Sequence, residues 1–245
     1  MTRRIFAHRG LSAIAPENTL AAIGAGADHG VRWFETDVDV IGDGTAVVLH
    51  DPTLDRTTNR TGPATALTAA DLPDVDAGGW FSPEFAGQPL PTLGQLVDLM
   101  NEKKLDGNIE LKPHAPSKEG VLKLVEAAIA ELERLDAERR VVISSFHHLA
   151  LAEFKRRAPQ YEVAPLMWAQ GLEVSWQSQL EMLDSTTIHP HHLALTPELV
   201  AQMKDAGITI NTWTVNDRAR TNQLFNWGVD GVITDLAHEF VHLER

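Results

Sequence analysis

Apolar and polar residues follow two alternating rhythms along this chain. Short apolar or period-two runs fall at RIFAHR (4–9), WFETDVDV (33–40) with AVVLH (46–50), NIELK (108–112), VVISSF (141–146), VAPLMW (163–168), TIHP (187–190), ITINTW (208–213) and GVITD (231–235). Runs of that length and β-branched content predict strands. Between them lie amphipathic segments such as LGQLVDLMNEKK, GVLKLVEAAIAELERL, HLALAEFKRR and TPELVAQMKDAG. In the second of these, Val121, Leu124, Val125, Ala128, Ile129 and Leu132 recur at helical spacing, with charged residues on the opposite side. Thr196 followed by Pro197 reads as an N-cap and first-turn proline, and Gly207 and Gly228 as helix stops.

Eight strands alternating with helices in 245 residues predict an α/β chain forming one (β/α)8 TIM barrel over 1–245. A doubly wound open sheet is the rival. Against it, no G-x-G-x-x-G follows the first strand, and polar residues gather at the ends of many strands rather than at one switch point. The segment 51–91 breaks the rhythm, being rich in Gly, Pro, Thr and Asp and too long for an ordinary βα loop. It reads as a small inserted subdomain after the second strand, packed around Trp80, Phe81 and Phe85.

Charge narrows the partners. Lys plus Arg number 21 against 34 Asp plus Glu, a net charge of −13, which argues against a nucleic-acid-binding surface. A small phosphorylated ligand stays compatible, because a few cations or one metal ion can reverse the field inside a cleft. There is no cysteine, so neither disulfides nor thiolate metal sites can form. MTRRIFAHRG has no apolar signal core, and no run approaches the ~18 apolar residues of a membrane span. A soluble cytoplasmic protein without stable membrane association is expected; the sequence leaves the oligomeric state open.

The candidate chemistry lies at strand ends. Strand alternation puts Glu35, Asp37 and Asp39 on one face, and Glu110 and Lys112 share a face of NIELK. Carboxylates crowded on one face of a barrel strand repel one another and resist desolvation unless a cation sits among them. Glu35, Asp37 and Glu110 are therefore candidate ligands for a hard divalent ion. Solvated strand ends or a structural salt bridge are the bland alternative for any one acid. His8 and His50 close two strands and suit a general base and a general acid flanking a scissile bond. Arg9 and Lys112 supply positive charge for an anionic group such as phosphate, and Gly10 allows the sharp turn that aims Arg9 back at the site.

AHRG (7–10), PENT (16–19), ETDV (35–38), LHDPTLDRTT (49–58), ELK (110–112), WTVN (213–216) and GVDGVITD (228–235), in this order, resemble the glycerophosphodiester phosphodiesterase family, and in particular its cytoplasmic bacterial type. The resemblance spans nearly the whole chain. It implies a TIM barrel whose insertion falls at 51–91, metal ligands at Glu35, Asp37 and Glu110, a catalytic pair at His8 and His50, and phosphate-holding residues at Arg9 and Lys112. The implied activity is that of a phosphoric diester hydrolase, releasing sn-glycerol 3-phosphate and an alcohol from a small glycerophosphodiester. The implied cofactor is a divalent cation, Mg2+ first, with Ca2+ or Mn2+ as alternatives. On this reading His8 accepts a proton from the attacking oxygen and His50 protonates the leaving alcohol, with exchange of roles between steps left open.

Trp213 and Asn216 are candidates to bind substrate, with aromatic packing the alternative for Trp213. Trp80 and Phe81 either cover the alcohol end of the substrate or pack the insertion. His189, His191 and His192 read as loop residues, His189 near the site mouth; IHPHH has no zinc-site spacing. Glu17 reads as a helix-capping residue, and Asp39 as a hydrogen-bonding neighbour of the site rather than a ligand. Two rival functions are a barrel phosphodiesterase acting on intact phospholipid or sphingolipid, and a non-catalytic glycerophosphate-binding protein.

Overall fold

A computed structural model describes residues 3–115 and 117–244, so residues 1, 2, 116 and 245 of the expected 1–245 span lie outside the described residues. The strands are β1 (Arg4–His8), β2 (Trp33–Val40), β3 (Ala46–Val48), β4 (Asp106–Leu111), β5 (Val141–Ser145), β6 (Glu162–Met167), β7 (Thr187–Pro190), β8 (Thr209–Thr212) and β9 (Gly231–Thr234). Eight of them pair in parallel in the order β1-β9-β8-β7-β6-β5-β4-β2, and β1 pairs with β2 to close the ring. The ninth, β3, is an antiparallel appendix to β2, with Val38 opposite Val48. This is the TIM barrel expected from the strand count.

Helices fill the crossovers: α1 (Leu20–Asp28), α2 (Leu93–Lys103), α3 (Lys118–Leu132), α4 (His148–Arg157), α5 (Ala169–Leu183), α6 (Pro197–Asp205), α7 (Arg218–Trp227) and the short α8 (Ala237–Phe240). Their starts are written in side chains that accept otherwise orphaned backbone N–H groups: Thr19 for α1, Thr92 with Gln95 as a capping box for α2, Thr196 for α6 and Asp217 for α7. Gly228 ends α7 in the left-handed conformation.

Period-two alternation sorts each strand between two environments. Ile5 and Ala7 of β1, Phe34 and Val38 of β2, and Ile109 and Leu111 of β4 join the large buried layer beneath the helices. Phe6, Trp33, Val142, Ala164 and Ile233 form a separate cluster filling the barrel interior. Fully burying one such aliphatic or aromatic side chain contributes about 1.5–3 kcal/mol. Residues one step further along the same inward faces, His8, Glu35, Asp37, Asn108 and Glu110, then rise toward the carboxyl end of the barrel. No described helix is long and apolar enough to cross a membrane.

Between β3 and α2 the chain runs through three 3-10 turns with a small core of its own, made of Ile41, Val47, Leu49, Leu54, Ala64, Leu67, Leu72, Val75, Ala77 and Leu90. Trp80, Phe81 and Phe85 form the expected packing cluster, touching edge to face at 5.7 Å, but with Phe81 and Phe85 half-buried and Trp80 41% exposed it lies beside the aliphatic core rather than forming it.

Candidate active site

The strand ending FAHRG turns sharply at two residues of positive φ, Arg9 at 56° and Gly10 at 80°. Only glycine fits the second, since a Cβ there would lie 2.7 Å from the backbone carbonyl carbon of Ala22 in α1. The reversal brings Arg9 over the barrel mouth. Its backbone N–H donates to Glu35 Oε2 at 3.2 Å, its guanidinium donates to Glu17 Oε1 at 2.8 Å, and its Nε lies 3.3 Å from Asp37 Oδ2.

Asp37 of β2 sits opposite Glu110 of β4 in register, and Glu35 opposite Asn108. One oxygen from each of Glu35, Asp37 and Glu110 lies within 4.8 Å of the others, and all three residues are buried. Lys112, just past β4, reaches Glu110 at 3.1 Å and Asp37 at 3.7 Å. Asn18, itself at φ 58°, donates to Asp37 Oδ2 and accepts from Thr36.

Burial first, and then the charges of its carboxylate neighbours, push Glu35 well above the ordinary carboxylate range. Burial and Asp37 likewise push Glu110 up to about 7, against the pull of Lys112. Burial would raise Asp37 as well, but Arg9, His50, Lys112 and the Asn18 hydrogen bond outweigh it and keep Asp37 ionised. Two carboxyls held this high beside a third that is ionised make a site short of positive charge. Its all-oxygen donor set fits a hard divalent cation, so Glu35, Asp37 and Glu110 can hold a metal.

Each imidazole is fixed from behind by a carboxylate. His8 Nδ1–H donates to Asp235 Oδ1 at 2.6 Å, and His8 Nε2 faces the acidic cluster, 3.8 Å from Glu35 Oε2. Asp235 also accepts from Ser12 at 3.1 Å and from Asn216 Nδ2 at 2.6 Å. Burial would raise the Asp235 pKa, but these bonds, that of His8 foremost, hold it at about 2. His50 Nδ1–H donates to Asp51 Oδ1 at 2.6 Å. Arg56 of the insertion grips both oxygens of Asp51 and both of Glu17, so a carboxylate–arginine bridge runs from His50 to the β1–α1 loop. Burial, together with Arg9 and Lys112, lowers the His50 pKa, against Asp37 and Asp51.

A cavity of about 390 Å3 opens here, lined among others by His8, Arg9, Glu35, His50, Glu110 and Lys112 on one side and by Phe146, Trp168 and Trp213 on the other. A larger hollow of about 810 Å3, between Pro113 and Arg157 on the flank of α3 and α4, contains none of these groups. The structure thus brings His8, Arg9, Glu35, Asp37, His50, Glu110, Lys112 and Trp213 to one mouth. Asn216 lies behind His8: its Oδ1 accepts from Thr234 Oγ1 and the Asp235 N–H, and its Nδ2 donates to Asp235.

Other expectations are corrected. His189 belongs to the strand expected at TIHP (187–190), which is β7, and not to a loop with His191 and His192; it is fully buried and accepts from Asn211 Nδ2 at 3.0 Å. Glu17 does not cap α1, a task performed by Thr19, but bridges Arg9 and Arg56. Trp80 and Phe81 do not line the cavity. Asp39 does bond a neighbour, His114, at 2.9 Å. Sequence reasoning gave no role to Asp51, Arg56, Asp235, Phe146 or Trp168, although three of them follow strands directly, in VVISSF, VAPLMW and GVITD.

A closed parallel barrel with an acidic cluster and two carboxylate-bound imidazoles at its carboxyl mouth is the frame of a (β/α)8 hydrolase. The model of the Glycerophosphoryl diester phosphodiesterase family matches residues 8–238. A glycerophosphodiester phosphodiesterase of Caldanaerobacter subterraneus subsp. tengcongensis is 36% identical over 245 residues, covering 100% of this chain and 99% of the relative. One from Bacillus subtilis is 30% identical over 252 residues, covering 95% and 84%. Among solved structures, an Oleispira antarctica phosphodiesterase in complex with the product sn-glycerol-3-phosphate superposes with a TM-score of 0.93 at 30% identity, covering 98% of this chain and 96% of that one. The chain belongs to the glycerophosphoryl diester phosphodiesterase family.

Proposed function

We propose that this phosphodiesterase hydrolyses a small glycerophosphodiester to sn-glycerol 3-phosphate and an alcohol by acid–base catalysis between His8 and His50, with Mg2+ held by Glu35, Asp37 and Glu110. The arrangement of two imidazoles about one buried acidic cluster carries this reading. Each has Nδ1–H bound to a carboxylate, which fixes the ring and turns Nε2 toward the substrate, as a proton acceptor in the neutral ring of His8 and as a proton donor in His50, which enters the step as the imidazolium. When bound, the ion would neutralise charge on a phosphate oxygen. With all three carboxylates ionised around a divalent cation, the ion, Arg9 and Lys112 together leave one positive charge, which a phosphodiester monoanion balances.

Arg9 and Lys112 steady the phosphoryl oxygens as charge builds on them. His8 Nε2 takes the proton of the attacking oxygen, and Asp235 stabilises the resulting imidazolium. His50 gives its proton to the departing alcohol oxygen, with Asp51 and Arg56 holding the ring in place. The insertion at 51–91 acts here as the carrier of that hold. Glycerophosphocholine incubated with the protein and Mg2+ should release glycerol 3-phosphate, and EDTA should stop it. His8→Ala and His50→Ala should each lower kcat by about 10²-fold or more. Loss of only a few-fold from either would remove that residue from the pair.

A further inference from the structure

The active-site cavity has two unlike ends. One holds His8, Arg9, Glu35, His50, Glu110 and Lys112; the other is formed by Phe146, Leu166, Trp168, Trp213 and Ile233, with Thr214 at its edge. Phe146 and Trp168 lie nearly parallel, 5.8 Å apart between ring centroids, and Trp213 meets both edge to face, at 5.3 and 4.8 Å. The three rings form one continuous aromatic surface, although Phe146 and Trp168 are 40% and 53% exposed. The Trp213 indole N–H is already committed to the backbone carbonyl of His189 at 2.8 Å. Elsewhere in the chain, Phe225, Trp33 and Trp227 each carry an arginine over the ring; among the described residues, no Lys or Arg sits over Phe146, Trp168 or Trp213.

We infer that the aromatic end of the cavity receives a quaternary ammonium head group, so that choline-type glycerophosphodiesters are this enzyme's preferred substrates. This rests on the reading of the site as that of a glycerophosphodiester phosphodiesterase and deepens it. A phosphocholine diester is a zwitterion whose two charges match the two ends: phosphate toward Arg9 and Lys112, ammonium toward the π faces. Selectivity comes from what the wall lacks. A primary ammonium, a glycerol or a sugar must lose water from several N–H or O–H groups, and among the described lining residues the Thr214 hydroxyl is the one polar side chain at the aromatic end, with the unpartnered Asn108 Oδ1 deeper in the cavity. A trimethylammonium group has no N–H to satisfy, presents methyl groups to the rings, and keeps the charge that the ring quadrupole attracts. His191 packs on Trp168 and Trp213 at 5.0 and 4.9 Å, and burial lowers its pKa, which disfavours a competing cation at this wall.

The test compares kcat/KM for glycerophosphocholine, glycerophosphoethanolamine and the 3,3-dimethylbutyl diester, a neutral copy of choline's shape. The wild-type enzyme should favour the choline diester roughly tenfold over each of the other two. Trp168→Leu and Phe146→Leu, which keep apolar bulk and remove a π face, should shrink both ratios to about threefold or less. Ratios within one variant are insensitive to partial loss of folded protein, and the wild-type comparison stands if a variant does not fold. An active wild-type enzyme with ratios within about twofold, or variants that leave a large ratio unchanged, would overturn the inference and leave the proposed function standing. Faster turnover of lysophosphatidylcholine than of glycerophosphocholine would overturn it in favour of an acyl chain at the aromatic end. Failure to cleave any diester would bring down the functional reading, and this inference with it.

Discussion

Asp235→Asn is expected to be more damaging than removal of the whole carboxylate by Asp235→Ala. The reason lies in the fixed orientation of Asn216. Its Oδ1 accepts from the backbone N–H of residue 235 and from Thr234, so its Nδ2 must face the side chain at 235, which it meets at 2.6 Å. A carboxamide in that place has to turn its oxygen toward Asn216 and its NH2 toward His8 Nδ1. His8 then accepts at Nδ1, carries its proton on Nε2 and presents no lone pair to the attacking oxygen. The wild-type contact is a charge-assisted hydrogen bond of 2.6 Å, worth about 1–2 kcal/mol once solvent screening at this one-third-exposed carboxylate is allowed for. Losing that bond alone, as in Asp235→Ala, should lower kcat by roughly 5- to 30-fold. Adding the wrong tautomer should extend the loss to about 10³- to 10⁴-fold, with KM changed by no more than about threefold. Glycerol 3-phosphate release under saturating substrate reads both numbers. An Asn variant as active as the Ala variant, or more so, would refute the tautomer argument.

Three further outcomes follow from other parts of the structure. Arg56→Ala unties Asp51 from Glu17 and should lower kcat about tenfold; Arg56→Lys should restore only part of it, because one ammonium cannot serve two carboxylate forks. Gly10→Ala combines positive φ with a backbone clash and should cost about 3 kcal/mol or more, read from the urea midpoint; a loss under 1 kcal/mol contradicts the geometry. Burial lowers the His189 pKa to about 3 in the folded chain, against about 6.5 unfolded. The unfolded state therefore binds the extra proton, and stability falls as pH drops through 6.5 toward 3, by about 2 kcal/mol at pH 5. His189→Gln should flatten that part of the denaturation profile, and an unchanged slope would exclude His189 as its source.

The barrel was legible because its strands repeat one device, apolar residues pointing at the helices and inward positions that turn polar toward the carboxyl end. Glu35 and Asp37 are two apart on one strand, and Glu110 and Lys112 two apart across another strand's end, so period-two spacing alone put each pair on one face. The supporting layer was harder to read. Asp235 closes GVITD much as His8 closes RIFAH, but a lone acid after a strand has no local signal tying it to an imidazole 227 residues away. Glu17 and Arg56 meet only because the insertion folds back over the β1–α1 loop. In the insertion the aromatic residues drew attention, whereas Leu54, Leu67, Leu72 and Val75, which fill its core, follow no period. His189 lies in the strand expected at TIHP, and only the adjoining His191 and His192 suggested a loop, while the closed barrel buries its inward-facing histidine beside Asn211.

The central claim is one divalent cation among Glu35, Asp37 and Glu110, and calorimetric titration of the EDTA-stripped chain with Mg2+ tests it most directly. The expected result is one ion per chain, recovery of diester cleavage as that site fills, and loss of both in Glu110→Gln. Full turnover by the stripped chain, or Mg2+ uptake that Glu110→Gln leaves untouched, would contradict it.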